Sequence, residues 1–180
     1  MPSELCQQLA AEIFALDNAG TMQPASIGHG SSKTHLQDVR GDKTYWLEEA
    51  TSSPVQNSAR ALLSQLQTEL NRHFYLGLKR FEAHFALYPP GAGYDKHVDN
   101  HRGESARRIT FILYLNTNWQ PDHGGELSFF SPEQEDLRIA RIEPRLGTLV
   151  LFRSEIFPHQ VEKSLHPRLS LTGWFRNDVL

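Results

Sequence analysis

Three side chains that bind metals through nitrogen and oxygen lie in two motifs far apart in the chain. His97-Val98-Asp99 places an imidazole and a carboxylate two positions apart, and His159 follows much later. Two imidazoles and one carboxylate form the facial ligand set that holds Fe(II) in non-haem oxygenases, where other metal positions stay free for a co-substrate and dioxygen. An HxD pair alone is weak evidence in a chain with 9 histidines, but its combination with His159 favours an iron site.

A basic residue with the geometry to bind a carboxylate lies downstream of His159. The guanidinium of Arg168 can form two parallel hydrogen bonds with a carboxylate, which an ammonium group cannot do. A single arginine is more often a surface or salt-bridging residue, and that alternative stays open at this point. The position of Arg168 on the polar side of a predicted strand, together with Thr172, favours binding of a dicarboxylate co-substrate, with Tyr114 as a phenolic donor beside it.

The remaining histidines show no comparable partnership in the sequence. We expect a structural or solvent-exposed position for each of them: His29, His35, His73, His84, His101, His123 and His166. His101 is the one most easily mistaken for a ligand, because it lies two positions after Asp99.

Length and charge limit the number of domains and the kinds of partner. A chain of 180 residues fits one domain with a substantial core, so we expect a single domain over residues 1–180. The formal net charge is -3 and the two signs are interspersed, which predicts neither a nucleic-acid nor a membrane partner. Nothing in the composition indicates an oligomeric state.

The number of cysteines and the N-terminal segment help to predict the cellular compartment. Cys6 is the only cysteine, so an intramolecular disulfide and a zinc–thiolate site are excluded, which is typical of a reducing compartment. Residues 1–19 carry acidic residues and lack the cationic start and apolar block of a secretory signal. Because no apolar run reaches membrane-spanning length either, we expect a cytoplasmic protein.

The order of the elements predicts the fold class. Apolar spacings of three and four predict helices over residues 3–18 and 53–73, and Tyr45-Trp46-Leu47 indicates a short strand. Short strand-like runs follow, separated by turn residues: 81–88, 107–115, 126–130, 138–142, 148–152 and 169–175. We therefore expect a mainly β (α+β) protein, a double-sheet jelly roll core over about 80–178 with helical support over 1–75 packed on one outer face.

Alternation along the strands predicts which side chains share a face. In the last predicted strand Leu169, Leu171 and Phe175 lie on one face, whereas Arg168, Ser170, Thr172 and Trp174 lie on the other. The run 107–115 likewise separates an apolar face from one that carries Arg108, Thr110 and Tyr114. The polar faces line either a barrel interior that holds a polar ligand or the solvent-facing side of a sheet, and the pattern alone favours neither.

Several motifs together resemble those of one enzyme family. The motifs resemble those of the family in residue type and in their order along the chain. They are Tyr88-Pro89-Pro90-Gly91-Ala92-Gly93-Tyr94, His97-Val98-Asp99-Asn100, Tyr114-Leu115-Asn116, Gly124-Gly125-Glu126-Leu127, Pro158-His159-Gln160-Val161, and Arg168 through Thr172 to Trp174-Phe175. The combination is similar to the 2-oxoglutarate- and Fe(II)-dependent prolyl hydroxylases, in particular the hypoxia-inducible-factor branch and its bacterial relatives. Arg40-Gly41-Asp42-Lys43 and Trp46 also resemble that branch, so the likeness covers residues 35 to 178.

The resemblance implies a double-stranded β-helix and a set of residue roles. It implies Fe(II) on His97, Asp99 and His159, and 2-oxoglutarate on Arg168 and Tyr114 with support from Thr172 and Tyr88. It implies hydroxylation of a prolyl residue in a protein substrate with O2, decarboxylation of 2-oxoglutarate to succinate, and ascorbate as a candidate reductant. Arg108, Trp174 and Trp46 match positions near the substrate cleft of the family, and the loop 28–38 matches its mobile flap.

The chain also departs from the family pattern, and other functions stay open. The long extensions of animal members are absent here, and residues 101–107 differ in length and sequence, so neither the animal substrate nor the rim of the cleft carries over. One alternative is hydroxylation of free proline or another small metabolite by the same chemistry. Another is a non-catalytic cupin-type binding module, for which Arg168 is coincidental and 2-oxoglutarate binding is not expected.

Overall fold

Two helices form the N-terminal layer of the structure, a computed structural model that describes residues 2–25, 39–100 and 105–179. Helix α1 comprises Ser3–Asn18 and helix α2 comprises Pro54–Phe74, in agreement with the apolar spacing of the sequence. The hydroxyl of Ser53 accepts a hydrogen bond from the backbone N–H of Gln56 at 3.1 Å, so this residue caps the start of α2. Neither helix combines the length and the apolar character that a membrane-spanning helix requires.

Ten strands of the described residues form two antiparallel sheets. In chain order they are β1 (Gln23–Pro24), β2 (Lys43–Trp46), β3 (Arg80–Tyr88), β4 (Tyr94–His97), β5 (Arg107–Tyr114), β6 (Leu127–Phe130), β7 (Arg138–Ile142), β8 (Leu149–Arg153), β9 (His159–Val161) and β10 (Arg168–Arg176). The major sheet has the order β1-β2-β3-β10-β5-β8, and the minor sheet has the order β4-β9-β6-β7. Two facing sheets of this kind confirm the predicted double-stranded β-helix.

The outer face of the major sheet packs on both helices. On the three central strands, β3, β10 and β5, every residue of this face that belongs to the hydrophobic core is apolar. These residues are Ala83, Phe85, Leu87, Ile109, Phe111, Leu113, Leu169, Leu171 and Phe175. A Cβ atom on Gly173 of β10 would lie 2.6 Å from the Phe111 ring and 2.1 Å from the Glu82 carbonyl oxygen, so only glycine permits this close approach. The helices therefore cover the sheet on the predicted outer face.

The inner face of the major sheet carries the polar residues of the same strands and faces the minor sheet. Arg168, Ser170, Thr172 and Trp174 line a cavity between the two sheets together with Thr110 and Ile112. Thr110 and Ser170 are almost fully buried. The barrel-interior alternative is thus confirmed for these strands, and the solvent-facing alternative is wrong.

The sequence pattern did not predict three short strands, and two of them carry metal-binding residues. Strands β1, β4 and β9 have only two to four residues each. So short a run shows no alternation that could be detected. The loop over residues 28–38 that we expected to act as a flap lies outside the described residues, as does His101.

Candidate metal and co-substrate site

His97, Asp99 and His159 converge at one end of the cavity between the sheets. One ligand atom from each residue can be chosen so that all three lie within 4.8 Å of one another. His97 Nε2 is 3.6 Å from Asp99 Oδ1, and His159 Nε2 is 3.7 Å from Asp99 Oδ2. Two atoms that bind one metal at about 2.1 Å and right angles are about 3 Å apart, so small side-chain shifts suffice to bind one ion.

Hydrogen bonds fix which nitrogen of each imidazole is available to a metal. His97 Nδ1 lies 2.8 Å from the carbonyl oxygen of Asp95, and His159 Nδ1 lies 3.0 Å from that of Phe157. Because a carbonyl accepts only from N–H, both rings carry the proton on Nδ1 and present the Nε2 lone pair to Asp99. This is the tautomer that a metal site needs, and the donor set fits Fe(II).

Strand pairing, not strand alternation, brings the ligands together. His97 of β4 and His159 of β9 are register partners in the minor sheet. Asp99 lies in the turn after β4 and not on the strand itself. The hydroxyl of Thr110 donates to Asp99 Oδ2 at 2.7 Å and lies 2.9 Å from the hydroxyl of Ser154, which holds the carboxylate from the major sheet.

The electrostatics of the site keep His159 and Asp99 in their metal-binding forms. Burial lowers the pKa of His159 to about 4, so its imidazole is neutral at neutral pH. Burial by itself raises the pKa of Asp99, but His159, His97 and the Thr110 hydroxyl together bring it well below its usual range. His159 and Asp99 are thus in the forms that bind a metal.

Arg168 lies buried on the inner face with the aromatic side chains expected near it. Its guanidinium carbon is 5.0 Å from the ring centres of both Tyr88 and Tyr114, and its Nε donates to the carbonyl oxygen of Gly125 at 2.7 Å. Arg168 Nη2 and the Tyr114 hydroxyl are buried without a hydrogen-bond partner in the described part of the chain. Burial raises the pKa of both tyrosines, so both phenols stay protonated. Unpaired buried donors beside a cation fit a carboxylate ligand.

Thr172 and Trp174 continue the same wall of the cavity. The hydroxyl of Thr172 is 3.0 Å from that of Ser170, and both side chains line the cavity. The ring centre of His84 lies 5.5 Å from that of Trp174 and 4.8 Å from that of Trp46, and the two tryptophan ring centres are 6.3 Å apart. Trp46 is 46% exposed, so this aromatic group extends from the cavity to the surface.

Arg108 and its neighbour Arg107 lie where the pairing of β5 with β10 is irregular. The register of β5 against β10 shifts between Phe175 and Arg176, so that Arg176 pairs with Arg107. As a result the guanidinium of Arg107 stacks 3.6 Å from the Trp174 ring centre, and its Nε donates to Glu82 at 2.6 Å. Neither Arg107 nor Arg108 lines the cavity between the sheets, and the substrate role expected for Arg108 stays a prediction.

The site also includes residues to which the sequence analysis assigned no role in binding. They share a position on the cavity wall or directly behind it, and they are Arg40, His84, Tyr94, Thr110 and Ser154. Arg40 and Tyr94 lie in motifs that resemble the family, and Thr110 lies on the polar face of a predicted strand.

Comparisons with known proteins agree with this geometry. Residues 83–176 match the model of the 2OG-Fe(II) oxygenase superfamily. The chain is 31% identical to rat Egl nine homolog 1 over 179 residues and 37% identical to mouse prolyl hydroxylase EGLN3 over 154 residues. These matches cover 96% and 81% of this chain but only 52% and 61% of the two relatives, so the chain spans about half the length of the Egl nine relatives.

Two solved structures extend the likeness to the whole described fold. A Pseudomonas putida prolyl-4-hydroxylase matches with a TM-score of 0.86 and 38% identity, over 98% of this chain and 88% of that one. A Trichoplax adhaerens prolyl hydroxylase in complex with a peptide of hypoxia inducible factor matches with a TM-score of 0.81 and 25% identity, over 97% and 79% of the two chains. The chain therefore belongs to the 2OG-Fe(II) oxygenase superfamily and, within it, to the prolyl hydroxylases.

Proposed function

We propose that this chain is a 2-oxoglutarate- and Fe(II)-dependent dioxygenase that hydroxylates a prolyl residue in a protein substrate. The observation that carries the proposal is a single cavity that adjoins both a His-Asp-His cluster and a buried guanidinium with an unpaired nitrogen. A binding module of the cupin type gives no reason to bury Arg168 Nη2 without a partner, so this arrangement supports the oxygenase.

His97, Asp99 and His159 would hold the iron. When bound, Fe(II) and 2-oxoglutarate would supply the activation of dioxygen: the co-substrate is decarboxylated to succinate, and one oxygen atom is used to hydroxylate a C–H bond. The contribution of the chain is to fix the ligands: backbone carbonyls orient both imidazoles, and the Thr110 hydroxyl holds one oxygen of Asp99. Such supporting bonds hold ligands in place before the metal arrives.

Arg168 and Tyr114 would bind the distal carboxylate of 2-oxoglutarate. The free Nη2 of Arg168 and the Tyr114 hydroxyl are both donors, and a carboxylate oxygen is the acceptor that satisfies them. Tyr88 packs on the guanidinium, and Thr172 contributes a hydroxyl to the same wall. Burial of a cation without a counter-ion has an unfavourable free energy. Binding of the co-substrate carboxylate offsets it, whereas a water molecule brings no opposite charge.

The aromatic wall formed by Trp46, His84 and Trp174 is the proposed contact surface of the substrate. Trp46 reaches the surface, which supports a polypeptide that continues beyond the cavity over a free amino acid that the cavity would enclose. Arg107 stacks on Trp174 and joins Arg108 as a proposed contact of the substrate. The Trichoplax relative, whose structure contains a peptide, is consistent with this choice.

The co-substrate chemistry is tested by anaerobic addition of Fe(II) and 2-oxoglutarate. We expect a visible charge-transfer band in the wild type and its loss in Asp99→Ala and His159→Ala. His166→Ala serves as the matched control, because this exposed residue stacks on His123 and does not line the cavity. A wild-type protein without the band would refute the oxygenase proposal.

The substrate class is tested separately. Proteins captured by the Asp99→Ala variant are returned to active enzyme, and mass spectrometry then searches for a prolyl residue that has gained one oxygen. Free L-proline and peptides are offered in parallel. Turnover of free amino acids alone would contradict the protein-substrate proposal while leaving the cofactor assignment intact.

Three further expectations of the sequence stay predictions. They are ascorbate as the reductant, a cytoplasmic location and the absence of nucleic-acid or membrane partners. The interspersed charges and the single cysteine support the last two. A dependence of total turnovers on ascorbate would test the first.

A further inference from the structure

His97 is the metal-binding residue that the protein core supports least. Its side chain is 20% exposed, compared with 9% for Asp99 and 4% for His159. It ends β4, which lies at the edge of the minor sheet, and the β4–β9 register is irregular between Tyr94 and His97. Neither deep burial nor a regular strand ladder therefore fixes the direction of this ring.

Tyr94 supplies the missing support on one face of the His97 ring. The two ring centres are 3.7 Å apart and the ring planes differ by 17°, which is a parallel stack. The carbonyl oxygen of Asp95 fixes Nδ1 of the same imidazole. One hydrogen bond leaves a ring free to swing about that bond, and an aromatic ring packed on its face removes this freedom.

Arg40 packs on the same Tyr94 ring and is itself held by Asp42. The guanidinium carbon of Arg40 lies 4.9 Å from the Tyr94 ring centre. Its Nε and Nη2 donate to the two oxygens of Asp42 at 2.7 and 3.0 Å, and the Asp42 side chain is fully buried. A two-point bond to a buried carboxylate fixes the plane of the guanidinium, so Arg40 has one defined position above the ring.

The backbone around Arg40 is bound to β4 as well. The backbone N–H of Gly41 donates to the carbonyl oxygen of Gly93 at 3.0 Å, and the backbone N–H of Asp95 donates to the carbonyl oxygen of Val39 at 2.9 Å. Arg40 and Tyr94 are bridge partners in this pairing. The segment 39–42 therefore extends the minor sheet beyond β4, on the side opposite to β9.

We infer that Arg40 and Tyr94 are positioning residues for the metal: Asp42 holds Arg40, Arg40 holds the Tyr94 ring, and the ring holds the His97 imidazole towards Asp99 and His159. The inference rests on the proposed function only in that His97 binds the metal. Partners that orient metal ligands contribute roughly 10- to 100-fold to metal affinity. The contacts from Asp42 to His97 form such an arrangement, with every neighbouring pair in direct contact.

The test measures binding of Co(II) alone, without co-substrate, by calorimetry and by the visible absorption of the bound ion. We expect Tyr94→Leu to weaken Co(II) binding about tenfold, whereas Tyr94→Phe, which keeps the ring, stays within about twofold of the wild type. Arg40→Gln should weaken binding by a smaller factor. Arg145→Gln is the matched control, because Arg145 packs 5.0 Å from the Trp119 ring away from the cavity.

The double variant separates a relay from two independent effects. If Arg40 acts through Tyr94, Arg40→Gln combined with Tyr94→Leu binds Co(II) no more weakly than Tyr94→Leu alone. Additive losses would overturn the relay, and unchanged affinity in Tyr94→Leu would overturn the inference as a whole. If Tyr94→Leu fails to fold, the Co(II) affinity of Arg40→Lys tests the inference instead, because this variant keeps the charge and loses the two-point bond to Asp42. Wild-type affinity in Arg40→Lys would then overturn the inference.

His97→Ala distinguishes this inference from the proposed function. If that variant binds Co(II) like the wild type, His97 is not a ligand and the metal assignment itself fails. If His97→Ala loses the metal while Tyr94→Leu retains it, only the positioning role is wrong. Affinity for 2-oxoglutarate at saturating Co(II) should be the same in the Tyr94 variants and the wild type.

Discussion

The two faces of the major sheet are built from the same three strands and have opposite characters. The outer face of β3, β5 and β10 is apolar and packs on the helices. Among the buried atoms of the inner face without a hydrogen-bond partner in the described chain are His84 Nδ1, Tyr114 Oη, Arg168 Nη2 and Trp174 Nε1. Buried polar atoms without partners destabilise a fold, so the stability of the sheet must come from the outer face.

This difference explains how one sheet can combine stability and function. The alternation of side chains lets each strand contribute apolar groups to one side and polar groups to the other. The helices then cover the apolar side, and the minor sheet closes the polar side into a cavity. Changes on the outer face should therefore act on unfolding, and changes on the inner face should act on binding.

The largest effect on stability is expected from Phe111→Ala on the outer face. Phe111 is fully buried and its ring centre lies 5.1 Å from that of Phe175, so its loss leaves a cavity against the helices. Such a truncation costs about 3–5 kcal/mol of the free energy of unfolding, measurable by urea denaturation. At temperatures where the variant is folded, its affinity for 2-oxoglutarate should equal that of the wild type. A weakened co-substrate affinity would contradict the separation of the two faces.

Arg168→Leu on the inner face should have the opposite consequence. Without the guanidinium, 2-oxoglutarate binding at saturating metal falls on the order of a hundredfold, which corresponds to about 3 kcal/mol. The metal-free protein should be no less stable than the wild type, because the substitution removes a buried donor without a partner. Calorimetric titration and urea denaturation measure the two quantities.

An exposed arginine provides the control for this pair of measurements. Arg153 lies at the end of β8, where its partner is Glu155, and Arg153→Leu should change neither quantity. If Arg168→Leu kept wild-type affinity for 2-oxoglutarate, the role of Arg168 would be lost. If it kept the affinity for metal, as we expect, the two ends of the cavity would be shown to bind independently.

The sequence predicted the two faces because they depend on local alternation over long strands. A regular strand of this length shows its alternation in the sequence, as β10 does with apolar Leu169, Leu171 and Phe175 on one face and polar Arg168, Ser170 and Thr172 on the other. The alternation did not predict the irregular pairing at the start of β5, where one extra residue shifts the register against β10. A bulge of this kind leaves no signal in the sequence, because it is set by the fit between strands.

The metal-binding residues were found by their chemistry and not by their secondary structure. His97 and His159 lie on strands too short to show alternation, and Asp99 lies in a turn. The residue types and the HxD spacing sufficed to group them. Arg40 and Tyr94 could not be predicted in the same way, since their contact depends on pairing between the segment 39–42 and β4.

The smallest of the expected effects, a dependence on pH, also distinguishes the faces. His84 lies on the inner face, and burial, helped by Arg40 and Arg107 and opposed by Asp42 and Glu82, lowers its pKa to about 4. The ordinary pKa in an unfolded chain is about 6.5, so between these values the unfolded chain binds a proton that the folded chain does not. Stability therefore falls as the pH falls through this window, by about 2 kcal/mol at pH 5 relative to neutral pH.

His84→Leu should remove this part of the acid sensitivity. The loss of unfolding free energy between pH 7.5 and pH 5 becomes smaller than in the wild type, whereas a remainder persists because His159 has a pKa lowered in the same direction. Urea denaturation of the metal-free protein at both pH values gives the difference. Phe111→Ala provides the control, since it lowers stability on the outer face and adds or removes no titrating group. Equal pH sensitivity in His84→Leu and the wild type would mean that His84 accepts a proton in the folded state, and the inner face would then tolerate a charge that its burial argues against.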